Sequence, residues 1–201
     1  MAARFAPIPH DDEPPFRVVV VGAEGVGKTA LVRRVVCDAF RDEHWPTAGV
    51  DVVTAPASLS SRRCVQLWDT PGKPEAAALV GSALRAADVA VVVYDHRDAT
   101  LRTALRWVEA AHQSGGPPVF LVRNKSECAD TRKRSIFETG QNAADRIFTV
   151  SAKQGTVQEF CGALRSAVDG VHEEVECMET DRSCVEEQSP CVLCCVSRFL
   201  F

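Results

Sequence analysis

The chain has 201 residues, of which 46% are hydrophobic and 25% are charged, and its formal net charge is −4. This length suits one domain with flanking segments, and the composition is ordinary for a globular protein. Residues 173–201 hold seven acidic side chains against two arginines, and no basic stripe runs along the rest of the chain. Nucleic-acid binding is therefore not expected.

The nine cysteines do not indicate a secreted disulfide framework. Four are scattered between Cys37 and Cys161 without paired spacing, and five crowd into residues 177–195. The first residues lack the apolar core of a signal peptide, and no apolar run reaches the roughly 18 residues of a membrane-spanning helix. We expect reduced thiols in a cytoplasmic protein.

Strand and helix patterns alternate along the chain after residues 1–15, whose four prolines and acidic cluster predict a disordered leader. Apolar β-branched runs predict five strands: Arg17–Val21, Cys64–Trp68, Val89–Tyr94, Val119–Val122 and Ile147–Val150. A sixth strand, Val50–Leu59, is expected at the edge of the sheet, paired with Cys64–Trp68. Helical periods run from Leu101 to Ala111 and from Val157 to Val175. This alternation predicts an α/β fold over residues 16–176, a mainly parallel six-stranded sheet with helices on both faces. An acidic, cysteine-rich tail follows at residues 177–201.

Gly22–Thr29 reads GAEGVGKT and matches the phosphate-binding pattern G-x-x-x-x-G-K-[ST], between a predicted strand and a predicted helix. Backbone N–H groups of such a turn and the start of the helix attract phosphate. We expect Lys28 to reach the β/γ oxygens and the Thr29 hydroxyl to ligate magnesium. The full predicted phosphate loop is Glu24, Gly25, Val26, Gly27, Lys28, Thr29 and Ala30. The alternative, a solvated glycine-rich turn, does not explain the strand and helix around it.

Four more polar segments lie next to predicted strands or helices. Asp69-Thr70-Pro71-Gly72 ends a strand, where the carboxylate can hold magnesium through water and the Gly72 N–H can meet a γ-phosphate. Thr47 lies in the loop after the first helix. The other two segments follow later strands: Asn124-Lys125-Ser126-Glu127 and Ser151-Ala152-Lys153.

These five segments, in this order, resemble the nucleotide-binding motifs of Ras-superfamily GTPases over about residues 16–176. The resemblance implies a GTP/GDP switch that uses Mg²⁺, with effectors reading switch I at Thr47 and switch II from Thr70 to about Ala83, and with an exchange factor and an activating protein. It implies that Thr47 and Asp69 join Thr29 at the metal. It also implies a guanine site in which Phe40 packs on the ring; a helix-end core contact is the alternative for Phe40. The other implied base-side residues are Asn124, Lys125, Glu127, Ser151, Ala152 and Lys153.

Within the superfamily the chain resembles Rab proteins, which implies a role in vesicle or ciliary transport. The resemblance rests on Gly49-Val50-Asp51, Leu67-Trp68-Asp69-Thr70 and Arg85-Ala86-Ala87-Asp88. A second hypothesis is a nucleotide-loaded structural subunit, similar to the Rab-like subunit of intraflagellar transport complexes. A P-loop nucleotide kinase is a third, but no arginine-rich lid is present and the base-side motifs would be unexplained.

Three residues depart from the family pattern. Glu24 stands where the family has glycine or another small side chain, Lys73 replaces the glutamine that positions the attacking water, and Glu127 replaces an aspartate that binds guanine. We expect slow hydrolysis at a catalytic group of Lys73, Gly72, Thr47 and Lys28, with an ion pair between Glu24 and Lys73 able to cap the γ-phosphate. Neutral divergence is the alternative explanation.

The tail also departs from the family. Cys194-Cys195 resembles the prenylated cysteine pair of Rab proteins, but six residues follow it, whereas a prenylation signal lies at the extreme C-terminus. S-acylation of the clustered tail cysteines is the remaining route. We therefore expect membrane association only if these cysteines are lipidated, and then a reversible one.

Overall fold

The computed structural model describes residues 14–42, 46–60, 63–113, 115–128 and 144–170. The strands are β1 (Phe16–Gly22), β2 (Asp51–Thr54), β3 (Val65–Asp69), β4 (Val89–Tyr94), β5 (Val119–Arg123) and β6 (Arg146–Thr149). The helices are α1 (Lys28–Cys37), α2 (Ala77–Arg85), α3 (Asp98–Gln113) and α4 (158–170), with 3₁₀ turns at Pro74–Ala76 and Ser126–Cys128. By its internal contacts the chain divides into two units, Met1–Val168 and Asp169–Phe201. The sheet and the candidate site belong to the first unit. Residues 1–13 of the predicted leader, the predicted helical period beyond residue 170 and the whole tail lie outside the described residues.

The six strands form one sheet in the order β2-β3-β1-β4-β5-β6. All neighbours are parallel except β2 and β3, which run antiparallel. The central strand β4 is apolar and buried at all six positions, and such a run is typical of a strand covered on both faces. The predicted mixed α/β fold with a mostly parallel six-stranded sheet is confirmed.

Alternate residues of the strands feed two separate apolar clusters. Val18 and Val20 of β1 belong to a cluster that includes residues of α1 and α4. Val19 and Val21 belong to another, with residues of α2 and α3. Because successive side chains of a strand point to opposite faces, the helices cover both faces of the sheet, as predicted.

The edge strand is shorter than predicted. Residues 50–59 were expected to be extended, but β2 covers only Asp51–Thr54. Ala55 still donates its N–H to Val65 O (2.8 Å), and Pro56, which has no N–H, ends the pairing. A turn follows, in which the Leu59 N–H bonds to Pro56 O (2.9 Å). The predicted pairing of this edge strand with the Cys64–Trp68 segment is confirmed, and the pairing is antiparallel.

Four cysteines lie in the described part of the chain, and all are free thiols: Cys37, Cys64, Cys128 and Cys161. Burial raises the pKa of Cys161, which keeps that side chain in the unreactive thiol form. Among the described residues, no helix is both long enough and apolar enough to span a bilayer.

Candidate functional site

The predicted motifs meet at the carboxyl edge of the parallel strands. The glycine-rich turn follows β1, Asp69 closes β3, Asn124 follows β5, and Ser151 comes two residues after β6. Ligands of open α/β sheets bind at this edge. A cavity of about 290 Å³ opens here, lined by most of the predicted phosphate-side residues, by Phe40 and by Lys125, together with four residues that the motifs did not include: Arg33, Arg41, Asp42 and Pro46.

The start of α1 is left without a side-chain cap. Gly27 is the N-cap residue, and it contributes no side-chain oxygen to the first N–H groups of the helix. Its φ of +94° is left-handed, and a Cβ at this position would lie 2.4 Å from Asn124 Nδ2. Only glycine fits both conditions. The first N–H groups of α1 therefore stay available for an anion, which the helix dipole also favours.

Lys28 places its amine beneath the glycine-rich turn. Its Nζ donates to Gly22 O (2.9 Å) and Ala23 O (3.0 Å), and the residue is only 7% exposed. Burial lowers the pKa of Lys28 to about 8, although the charges of Asp69 and Glu24 act against the shift. Phosphate oxygens would restore the full charge of this amine, since nearby anions favour the protonated form.

Two hydroxyl groups and a carboxylate gather beside Lys28. Thr29 Oγ1 donates to Asp69 Oδ2 (2.5 Å) and lies 3.1 Å from Thr47 Oγ1. Asp69 is buried, and its Oδ1 has no hydrogen-bond partner. Burial raises the pKa of this carboxyl group, opposed by the Thr29 hydrogen bond and by Lys28. A buried carboxylate oxygen with no partner is costly and calls for a cation.

This set of donors fits Mg²⁺. The cation is hard, takes oxygen ligands and keeps several waters, so two hydroxyls and one carboxylate are sufficient protein partners. Across the described ranges no three His, Cys, Asp or Glu side chains cluster in a way that would hold a metal. The donor types of Thr29, Thr47 and Asp69 fit such a cation, and its binding there stays a prediction.

Gly72 packs directly on the phosphate loop. A Cβ added to it would lie 2.6 Å from Glu24 N and Cα and 2.6 Å from Lys28 Nζ. The next residue, Lys73, is exposed, lines the cavity and precedes the 3₁₀ turn at Pro74–Ala76. Glu24 also lines the cavity, but the two side chains form no ion pair with each other in the described structure. An ion pair between them across a bound γ-phosphate stays a prediction.

Asn124 ties the phosphate loop to the loop after β6. Its Nδ2 donates to Val26 O (3.0 Å), while its Oδ1 accepts from the Ala152 N–H (3.1 Å). Arg34 of α1 holds the same distant loop by donating to Ala152 O (2.8 Å) and Lys153 O (3.2 Å). Asn124 does not line the cavity, so the structure shows it as a connector, and its contact with a base stays a prediction.

The remaining base-side residues are held around Ser151 and Phe40. Ser151 Oγ donates to Glu127 Oε2 (2.5 Å). Lys153 Nζ pairs with Asp42 Oδ1 (3.0 Å) and lies 5.8 Å from the centre of the Phe40 ring. Phe40 lines the cavity, and its packing on a base stays a prediction.

Three residues that the motifs did not reveal support the loops of the site: Arg34, Arg97 and, through Lys125, Asp95. Asp95 directly follows β4, and Arg97 pairs with it across 2.7 Å (Nη2 to Oδ2). The signal for Asp95 was present in the sequence, because a lone carboxylate directly follows a fully apolar strand. Arg34 carried no such signal, since its partners lie 118 and 119 residues away.

The fold and this site together define a P-loop nucleotide-binding domain. A sequence model of the Ras family matches residues 17–166. The chain therefore belongs to the Ras family. Proteins of this family are small GTPases, which bind GTP and GDP with Mg²⁺, hydrolyse GTP, and work with regulators and effectors.

Proposed function

We propose that this small GTPase is a Rab-like switch with slow GTP hydrolysis, and that its guanine-nucleotide site is built from the residues at the carboxyl edge of the sheet. Lys28 and the glycine-rich turn would hold the phosphates, and Thr29, Thr47 and Asp69 would hold Mg²⁺. The predicted base-side residues would hold the guanine. The observation that carries this assignment is the unpartnered, buried Asp69 Oδ1 beside two hydroxyls and a buried amine.

The position of Thr47 supports a nucleotide-dependent switch. The loop that carries Thr47 contacts the proposed metal ligands through its hydroxyl group, since Thr47 Oγ1 lies 3.1 Å from Thr29 Oγ1. Bound Mg²⁺ supplies positive charge to the β- and γ-phosphate oxygens. A γ-phosphate adds an acceptor for the Gly72 N–H as well, so the Thr47 loop and the Gly72 loop would both be ordered by GTP and released with GDP.

Hydrogen exchange tests this switch. We expect the amides of residues 46–51 and 70–76 to be better protected with a non-hydrolysable GTP analogue than with GDP, in both cases with Mg²⁺. Asp69→Asn, which keeps the side-chain shape and removes the charge, should abolish the difference. Equal protection in the two nucleotide states would favour the second candidate, a structural subunit whose nucleotide only stabilises a docking surface.

Slow hydrolysis is supported by two side chains at the cavity. A protonated lysine has donors only, so Lys73 cannot accept a hydrogen bond from an attacking water as glutamine does. Glu24 brings a carboxylate to the same cavity, where it would repel phosphate oxygens. Both effects raise the barrier for in-line attack, since this reaction depends on positioning and charge stabilisation.

Single-turnover GTP hydrolysis tests this part. Lys73→Gln should hydrolyse faster than wild type, by roughly 10-fold or more if it restores general positioning of the water, and adding Glu24→Gly should raise the rate further. Arg102→Lys, a conservative change at an exposed residue of α3, is the control. A wild-type rate equal to or above that of Lys73→Gln would show that the site uses another mechanism.

The transport role and the location of the protein rest on the resemblance to Rab proteins and on the tail. The −5 charge of residues 173–201 opposes adsorption to anionic membranes. We propose a cytosolic protein that associates reversibly with membranes through acylated tail cysteines. Metabolic labelling with an alkyne fatty acid should mark residues 177–195, and a prenyl group on Cys194 or Cys195 in the mass spectrum would contradict the proposal.

A further inference from the structure

Asp95 is a buried anion for which the nucleotide motifs give no role. Its side chain is fully buried, directly after β4. The Thr100 hydroxyl and the Arg97 N–H donate to its Oδ1 (2.8 and 3.1 Å), and the Arg97 guanidinium contacts both of its oxygens at 2.7–3.0 Å. A carboxylate is kept in such a place only when it is well paired. It therefore acts as a fixed negative charge behind the phosphate loop.

Two cations are anchored on this carboxylate and reach the same turn. Lys125 Nζ lies 3.5 Å from Asp95 Oδ2 and donates to Gly25 O (2.5 Å). Arg97 Nη2, which pairs with the same Asp95 oxygen, makes a longer contact with Glu24 O (3.5 Å). Two consecutive carbonyl groups of the phosphate loop are thus each covered by a cation, and both cations are held by one anion.

The direction of these carbonyls sets the direction of the phosphate donors. In a planar trans peptide unit the C=O and the following N–H point in opposite directions. The carbonyl of Glu24 shares its peptide unit with the Gly25 N–H, and the carbonyl of Gly25 shares its unit with the Val26 N–H. When cations on the Asp95 side hold both carbonyls, both N–H groups are turned away from that side.

We propose that Asp95 and Arg97 are positioning residues for the nucleotide: by holding the Glu24 and Gly25 carbonyls, directly and through Lys125, they aim the Gly25 and Val26 N–H groups at the phosphates before the nucleotide binds. A donor set that is already oriented costs less to organise, so phosphate is held more tightly and released more slowly. This inference rests on the proposed nucleotide site and adds to it two residues outside the five motifs.

Release of GDP measures the effect. In the GDP-loaded full chain with Mg²⁺, Arg97→Gln should release a fluorescent GDP analogue roughly three- to tenfold faster than wild type, since one half-exposed, charge-assisted contact is lost. Arg97→Lys keeps the positive charge near Asp95 and should recover part of the slow release. Arg102→Gln, an exposed arginine of α3, is the control and should release GDP at the wild-type rate.

A second readout separates positioning from a general structural role. Arg97→Gln removes a partner of the buried Asp95, so it should lower the melting temperature of the nucleotide-free protein. As a positioning residue, Arg97 should in addition affect the nucleotide, so that the variant shows a smaller rise in melting temperature with GDP. A lower melting temperature without nucleotide, together with a GDP-induced rise and a release rate equal to those of wild type, would overturn the inference. Failure of the wild-type protein to bind GDP would instead overturn the nucleotide site itself, and this would be seen before any variant is compared.

Discussion

Gly72 is a residue at which one added methyl group should have a large effect on stability. In Gly72→Ala the new Cβ would lie 2.6 Å from the Glu24 backbone and from Lys28 Nζ, about 1 Å closer than carbon atoms pack in proteins. The lysine amine can move, but the Glu24 backbone is fixed in the phosphate loop, so the Gly72 loop must be displaced. Overpacking of this kind costs about 1–3 kcal/mol. For a chain of this size, each kcal/mol lowers the melting temperature by about 2–4 °C.

Gly81→Ala is the matched control, because it adds the same methyl group only nine residues later. A Cβ there would meet nothing nearer than Arg85 Nη1 at 3.7 Å, and alanine is favoured over glycine inside a helix by about 1 kcal/mol. Thermal unfolding followed by circular dichroism, in excess EDTA so that bound nucleotide does not contribute, should show Gly72→Ala below wild type and Gly81→Ala at or above it. A Gly72→Ala protein as stable as wild type would refute the packing that we describe.

Two further predictions concern carboxylates. Glu127→Asp should tighten GDP binding by about 1–3 kcal/mol, as measured by calorimetry, because in the proposed site the extra methylene of Glu127 would shift its hydrogen bonds with guanine outward; weaker binding would contradict the proposed role. Burial acts to raise the pKa of Asp95, but the bonds from Arg97 and Thr100 outweigh it and hold the pKa at about 2, against 3.8 when unfolded. Asp95 therefore stabilises the fold by about 2 kcal/mol above pH 4, and this contribution should disappear as the pH falls from about 4 to about 2. The difference in free energy of unfolding between wild type and Asp95→Asn should shrink over that range, and a constant difference would contradict the assignment.

The central strands could be predicted from sequence because their patterns have sharp ends. β4 was predicted and found at Val89–Tyr94, since polar Asp88 and Asp95 bound a run that is apolar on both faces. The edge strand was predicted too long because a pattern that is exposed on one side carries a weaker signal. Its end is set by Pro56 and by pairing with β3, and both act through hydrogen bonds that a hydrophobicity pattern does not contain.

The phosphate side of the site was predictable for a different reason. Lys28, Thr29 and Asp69 lie at ends of parallel strands or at the helix start that follows, and this topology brings such positions together at one edge. The connections between loops were not predictable. Arg34 donates to Ala152 O, which lies 118 residues further along the chain, and the Asn124 side-chain amide bonds to Val26 O and to the Ala152 N–H. Such contacts depend on how two loops meet in space, which neither spacing nor composition records.

Calorimetric titration of the nucleotide-free protein with GDP tests the central claim most directly. We predict that wild type binds GDP in the presence of Mg²⁺, binds it more weakly in EDTA, and binds ADP more weakly than GDP. Lys28→Ala should lose most of the affinity, because it removes the buried amine beneath the phosphate loop, while circular dichroism shows the same fold. The absence of GDP binding by the intact wild-type protein with Mg²⁺ present would contradict the account.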